Sequence, residues 1–145
     1  MVRKITSSLS RISLIVFIVG FFLTVLDFTE SGIDSKYSSF SLLESSDYRL
    51  AGIVILIAAV LSLISVIVVS EKGVSCLVPI SVFILIIIAH LMFRQKIGKS
   101  AEYAFFVHFE LFSSNIYGCG MITMLWSALV SGVLSIISAL MPVND

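Results

Sequence analysis

Charged residues are scarce in this chain and are missing altogether from long parts of it. Asp, Glu, Lys and Arg make up only 12% of its 145 residues, whereas they account for about 25% of an average soluble domain. None of the four occurs in the stretches 12–26, 50–70, 74–93 and 116–141. The shortage of charge therefore argues against an ordinary soluble domain. Since the formal net charge is zero, we also expect no nucleic-acid partner.

Cysteine is rare as well, with only Cys76 and Cys119 in the chain, and the two do not form a C-x-x-C pair. The sequence therefore lacks the signatures of a redox enzyme or a zinc site. If four helices cross a membrane, the two cysteines begin different helices on opposite sides of a core about 30 Å thick. Bonded cysteines have Cα atoms within about 7 Å, so we expect no intramolecular disulfide and interpret both as packing residues.

The uncharged stretches have the length of membrane-spanning helices. Hydrophobic residues make up 59% of the chain and its mean hydropathy is +1.14. A crossing takes about 20 residues, and these stretches are apolar all round, unlike most buried helices of soluble proteins. We therefore predict an all-α membrane protein, a four-transmembrane-helix bundle. Residues 1–145 form one integral membrane domain, and the lipid bilayer is its partner. Its helices are predicted at about 9–27, 50–70, 74–93 and 116–141.

Basic residues near the start of the chain predict its orientation. Three of them precede the first helix: Arg3, Lys4 and Arg11. By the positive-inside rule both termini are cytoplasmic and the connections 28–49 and 94–115 lie outside, although the cations within 94–99 favour the reverse. The basic start also resembles a signal peptide, but no small-x-small cleavage site follows, so we interpret the segment as a helix. Without a retention or transit signal, we expect the plasma membrane.

Both outer connections contain short strand-like patterns. Apolar and other residues alternate through 103–112, with many aromatics, and a shorter alternation occurs at Phe40 and Leu42. Two strands from the same side of the membrane would form a small extracytoplasmic β cap on the bundle, satisfying their backbone groups. The alternative is that 103–112 is an aromatic-rich segment lying at the level of the lipid headgroups.

Small residues recur at helical spacing in two of the predicted helices. They are Ser127, Ser131, Gly132 and Ser135 in the fourth helix, and Ala58 and Ser62 in the second. A ladder of small residues lets another helix approach closely. We expect this face to pack within the chain's own bundle. The alternative is a face for another membrane protein or for a second copy of the chain.

Few ionisable side chains are candidates for a chemical role. His90 lies near the end of the third apolar run, where we expect its imidazole to reach water at the interface, although intramembrane ionisable residues are often functional. Asp27 is interpreted as a boundary charge, with cation binding or a pair with Arg49 as alternatives. His108 and Glu110 lack a third ligand, so we predict no metal site, no cofactor and no catalytic set.

The arrangement resembles claudin-like four-helix membrane proteins, and also small bacterial four-span proteins whose last helix opens with Gly-x-Gly, here Gly118-Cys119-Gly120. The likeness covers the layout of the whole chain. It does not extend to motifs, because residues 28–49 contain neither the tryptophans nor the paired cysteines of the claudin first loop. The resemblance therefore implies a fold only. The paracellular barrier or pore function of claudins does not follow from it.

Three functions are compatible with these features. We predict a non-catalytic accessory, assembly or protective membrane protein that acts through helix packing and its outer cap. The alternative is a small transporter or channel subunit, a homo-oligomeric pathway lined by hydroxyls such as Ser62, Ser65, Ser81 and Ser131. A membrane-embedded enzyme comes last, because no convergent set of acid, base and nucleophile is present.

Overall fold

A computed structural model describes residues 1–29, 35–67, 77–99, 109–110 and 114–141. The elements in chain order are α1 (Val2–Phe21), β1 (Thr24–Asp27), β2 (Lys36–Ser38), α2 (Ser39–Glu44), α3 (Arg49–Ile67), α4 (Leu77–Lys99) and α5 (Cys119–Leu140). Helices α1, α3, α4 and α5 are each long and apolar enough to cross a membrane. The prediction of an all-α, four-transmembrane-helix bundle with a small antiparallel sheet is confirmed.

Much of the surface of the four long helices is not buried inside the bundle. Between 28% and 50% of the residues in the most apolar part of each helix are buried. The exposed residues include large apolar ones such as Ile57, Leu63, Ile84 and Val133, which are 46% to 52% exposed. Such a surface is stable only in a solvent as apolar as itself, which is the hydrocarbon of a membrane.

The tightest packing joins the first long helix to the last. Gly20 of α1 and Gly120 of α5 face each other so closely that a Cβ atom on Gly120 would lie 2.6 Å from the Gly20 carbonyl oxygen. Further along, Ser10 contacts Ser131, so the two helices run antiparallel. Glycine allows this approach because it carries no side chain to keep the two backbones apart.

Helix α1 ends earlier than the sequence predicts. The predicted helix 9–27 includes Thr24–Asp27, which instead form the strand β1, while the helix itself covers Val2–Phe21. The hydroxyl of Ser39 donates to the Phe21 carbonyl over 2.7 Å and so satisfies one of the acceptors left free at the helix end. Val25 and Leu26 are fully buried in the strand, and a short buried strand cannot be distinguished from helix by its apolar pattern.

The sheet links the two connections at one end of the bundle. Strand β1 pairs antiparallel with β2, and its other edge bonds to the segment 116–118 just before α5. The amide of Asp27 donates to the Ile116 carbonyl over 2.6 Å, and the amide of Gly118 donates to the Val25 carbonyl over 3.0 Å. We call β1, β2 and 116–118 the cap, and the end of the bundle that carries it the cap end.

The cap uses different residues from those the sequence predicts. Phe40 and Leu42, expected in a strand, lie in the short helix α2, which begins where the Ser38 hydroxyl accepts a hydrogen bond from the Ser41 amide. Of the predicted strand 103–112, only Phe109 and Glu110 are among the described residues, and Phe109 forms an isolated bridge with Ser114.

Candidate functional site

A histidine and a tyrosine form a buried polar pair at the cap end. His90 lies on α4 and Tyr117 immediately precedes α5. The Nδ1 atom of His90 is 2.6 Å from the Tyr117 hydroxyl oxygen, and the two residues are only 2% and 6% exposed. The expected interfacial imidazole in contact with water is therefore wrong. Phe109 and Tyr117, which both follow α4 in the chain, contact the imidazole ring edge-on, with ring centroids 6.1 Å and 5.6 Å away.

The surroundings of this pair hold both side chains in defined states. The backbone of Glu110 makes a second hydrogen bond with the His90 imidazole. Burial raises the pKa of Tyr117 above its ordinary value, so its hydroxyl stays protonated at any physiological pH. The hydrogen bond between this hydroxyl and the imidazole therefore joins α4 to the residue that precedes α5 by two positions.

Aromatic rings extend the pair into a cluster that joins four parts of the chain. Tyr117 packs edge-on against Phe93 and Phe109, with ring centroids 6.3 Å and 6.0 Å apart. Phe93 in turn contacts Tyr48 at 6.1 Å, and Tyr48 contacts Tyr37 of β2 at 5.4 Å. Such pairs contribute about 0.5–1.5 kcal/mol each beyond the burial of their area. The cluster therefore ties β2, the start of α3, the end of α4 and the start of α5 together.

Asp27 lies at the surface of the cap, at the end of β1. Its carboxylate accepts hydrogen bonds from the amide and the hydroxyl of Thr29, and it lies 3.9 Å from the Lys36 ammonium. These donors, Thr29 first, hold the pKa of the Asp27 carboxyl below its ordinary value. The alternative pairing with Arg49 is wrong, because the Arg49 guanidinium donates to the Leu43 carbonyl over 3.2 Å.

The predicted small-residue face of the fourth long helix is buried inside the chain. Ser131 and Ser10 are bound to each other, with each hydroxyl donating to the other residue's carbonyl, over 3.2 Å and 3.0 Å. A Cβ atom on Gly132 would lie 3.8 Å from the Phe83 side chain of α4. Ser127 and Ser135 are buried too, and both donate to carbonyls of their own helix.

The shorter ladder in α3 is also part of the interior. Ala58 and Ser62 have no exposed surface, and the Ser62 hydroxyl donates to the Ala58 carbonyl over 2.8 Å. Backbone bonding of this kind satisfies the hydroxyl without a partner from another helix. All six small residues singled out in the sequence therefore lie among the helices of this chain.

A cavity of about 370 Å³ opens at the cap end between the start of α3 and the end of α4. Asp47, Tyr48 and Leu50 line it on one side, and Met92, Lys96 and Lys99 on the other. Its walls are thus apolar towards the helix interiors and charged towards the helix ends. A lining of this kind can accommodate a molecule that has an apolar part and a charged part.

Potential metal ligands lie apart from one another in the described part of the chain. Among those residues no three His, Cys, Asp or Glu side chains lie together as metal ligands would, and His108 lies outside them. Comparisons with models of protein families, with curated proteins and with solved structures find no match to this chain. The likeness to claudin-like proteins is therefore one of layout, namely four membrane-spanning helices.

Sequence reasoning missed two features of this end of the bundle. Tyr117 was not singled out, because its partner His90 is 27 positions away and spacing alone does not pair them. A tyrosine next to a predicted helix start is the available signal, since a buried tyrosine hydroxyl usually finds a partner. Lys96 and Lys99 bear on the orientation when only the sequence is considered, whereas the structure places both on the wall of the cavity.

Proposed function

We propose that this chain is a non-catalytic protein of the plasma membrane that acts by contact with another membrane protein, in an accessory, assembly or protective role. The observation that carries this proposal is that buried polar side chains form hydrogen bonds with other groups of the same chain. Ser10 bonds to Ser131, Ser62 to its own helix, and His90 to Tyr117. Polar groups engaged in this way stabilise a fixed structure and are not available to bind a solute.

The positions of the hydroxyls considered for a transport pathway also favour the accessory role over transport. Ser62 and Ser131 are fully buried between the helices of one chain, where they cannot line a pore between several copies. Ser81 is half-buried and donates to the Leu77 carbonyl over 2.7 Å. A homo-oligomeric channel or transporter remains the alternative function, and the experiment below separates it from the accessory role.

We further infer that the cap faces outward from the cell and that both termini are cytoplasmic. The support is the cluster of basic residues at the start of the chain, at the end of the bundle away from the cap. The cap then offers a folded surface on the outer side, held by backbone bonds between β1 and 116–118. Such a surface suits recognition of a neighbouring membrane protein better than a loose loop would, since less conformational entropy is lost on binding.

The test is photocrosslinking in the native membrane, followed by identification of every chain captured. A photoreactive phenylalanine analogue at Phe40, which is 54% exposed on the cap end, should capture one different membrane protein in stoichiometric amount. The matched control is the same analogue at Leu140, which is 81% exposed at the opposite end and should not capture that protein.

Two other outcomes would contradict the accessory role. Capture of a second copy of this chain from Phe40, with a defined homo-oligomer in mild detergent, would favour the transport alternative. A bare monomer with no captured chain would also contradict the accessory role. In either case the next measurement is flux of ions or small solutes into liposomes that contain the purified protein.

A further inference from the structure

The cavity between α3 and α4 has a graded lining along the direction of the membrane normal. On α4, Lys96 lies four residues after Met92 and Lys99 follows one turn later, so the charged groups lie about 6 Å and more beyond the apolar side chain. Leu50, at the start of α3, forms the facing apolar wall and is 68% exposed. The lining therefore changes from apolar to cationic over the distance that separates acyl chains from headgroups.

The position of the cavity matches this gradient. It lies where α4 ends and α3 begins, which is the level at which both helices leave the hydrocarbon. Apolar side chains on the outer surface of the same helices, such as Leu50 and Leu91, are 68% and 52% exposed and face the acyl chains. A lipid could enter the cavity sideways from the bilayer without leaving it.

The charges of the lining favour a negatively charged molecule. Two ammonium groups, those of Lys96 and Lys99, face one carboxylate, that of Asp47. Among the described residues, Lys36 and Asp27 form an ion pair, whereas neither cavity lysine pairs with a carboxylate. Lysines in the last turn also complement the helix dipole, but that role does not require an enclosed apolar wall beside them.

We propose that this cavity binds one anionic phospholipid, with the phosphate held by Lys96 and Lys99 and an acyl chain lying against Leu50 and Met92. Basic pockets between membrane helices at this depth are suited to lipid headgroups because the phosphate stays near water while the chains stay in hydrocarbon. This lipid site does not depend on the accessory role, since it concerns the chain on its own.

The test is native mass spectrometry of the purified protein after extraction from vesicles with equal amounts of phosphatidylglycerol and phosphatidylcholine. The unchanged protein should retain one phospholipid, with phosphatidylglycerol strongly preferred. In the double variant Lys96→Gln, Lys99→Gln, retention of phosphatidylglycerol should fall by about tenfold or more. Both lysines are exposed and lie at a helix end, and circular dichroism of the variant checks that it folds.

Two further variants sharpen the test. Arg94→Gln removes a cation from the same helix end but from outside the cavity lining, so retention should be unchanged. Asp47→Asn removes the one carboxylate facing the lysines and should increase phosphatidylglycerol retention. Opposite responses of Lys96→Gln, Lys99→Gln and Asp47→Asn would not arise from loss of folding.

The proposal would be overturned by equal retention of the two lipids, or by an equal loss in Arg94→Gln. Displacement of the bound lipid by inorganic phosphate at millimolar concentration would also overturn it, because the site would then recognise a free anion. The measurement uses the purified chain without a partner. Its failure would therefore leave the crosslinking result on the accessory role untouched, and the reverse also holds.

Discussion

The hydroxyls of Ser10 and Ser131 lie 3.1 Å apart at the centre of the contact between α1 and α5, and each also reaches the other residue's backbone carbonyl. Both hydroxyls therefore have hydrogen-bond partners within the helix pair. The contact between α1 and α5, which we call the seam, combines close packing with reciprocal hydrogen bonds. In membranes such bonds contribute modestly, with a mean near 0.6 kcal/mol in double-mutant cycles.

A double-mutant cycle on this seam should reveal coupling between the two serines. Ser10→Ala and Ser131→Ala should each destabilise the protein by about 0.5–1.7 kcal/mol, and the double variant by less than their sum. Unfolding in mixed detergent micelles measures the free energies. The control is Ser13→Ala, whose exposed hydroxyl bonds only to the Leu9 carbonyl of its own helix, and an equal coupling of Ser13 to Ser131 would contradict the assignment.

Gly120→Ala should be among the most damaging small substitutions in the chain. The added Cβ would lie 2.6 Å from the Gly20 carbonyl and 2.8 Å from the Leu23 carbonyl, so backbone must move. We expect a cost of about 1–3 kcal/mol or more, measured as a fall in thermal stability in detergent.

The matched control for that variant is Gly98→Ala in the last turn of α4. A Cβ at Gly98 meets no atom within 4 Å. Its stability should be unchanged or higher by up to about 1 kcal/mol, because alanine favours the helix. Equal losses in the two glycine variants would show that close backbone approach is not what Gly120 provides.

Removal of one hydroxyl should expose how much the buried His90 depends on Tyr117. Tyr117→Phe keeps the ring but leaves Nδ1 without its partner at 2.6 Å, and we expect a loss of about 1–3 kcal/mol. The further change His90→Leu in the Tyr117→Phe background should recover part of that loss, since the unpaired Nδ1 atom is then removed. Thermal unfolding in detergent, monitored by circular dichroism, measures both. Additive losses would contradict the pairing.

The Asp27 carboxyl should contribute a pH-dependent share of stability. Its folded-state pKa is lowered, first by Thr29 and further by Lys36, so its contribution is present above the unfolded value near 3.9 and is lost as pH falls through the folded value. The stability difference between the unchanged protein and Asp27→Asn should therefore shrink as pH falls below about 4. Thr29→Val removes the main donor and should reduce the same difference, measured by melting temperature against pH.

Cysteine labelling should report the inferred orientation. Cys119 is exposed and unpaired at the cap end, so an impermeant thiol reagent should label it on intact cells in a Cys76→Ser background. The control, Leu140→Cys in a chain without other cysteines, places a thiol at the opposite end. It should react only after the membrane is permeabilised, and the reverse pattern would invert the topology.

The sequence carried enough information for the bundle because membrane spans need long uncharged stretches. The positions of α3, α4 and α5 overlap the predicted helices 50–70, 74–93 and 116–141. The end of the first helix was harder, because Val25 and Leu26 are as apolar in a buried strand as in a helix. Only the pairing of β1 with β2 and with 116–118 decides between the two, and pairing partners distant in sequence leave no periodic signal.

The cap end shows the same division between local and non-local information. Sequence reasoning expected a cap built from the connections 28–49 and 94–115, whereas the bond from the Gly118 amide to the Val25 carbonyl joins two residues that the sequence assigned to helices. The prediction of a strand at Phe40 and Leu42 is wrong, because both residues lie in α2, whose N-cap is Ser38. His90 was expected at the interface because depth along a helix is visible in sequence, whereas enclosure by Phe109 and Tyr117 is not.

The close seam between α1 and α5 sets an order of events during biosynthesis. Among the long helices, α1 emerges first from the ribosome and α5 last, yet α1 packs most extensively against α5. Until α5 has been inserted, the glycine and serine face of α1 has no permanent neighbour in the bilayer. Chains that stop before residue 119 should therefore be recognised as incomplete by the quality-control proteases of the membrane, however well their first three spans insert.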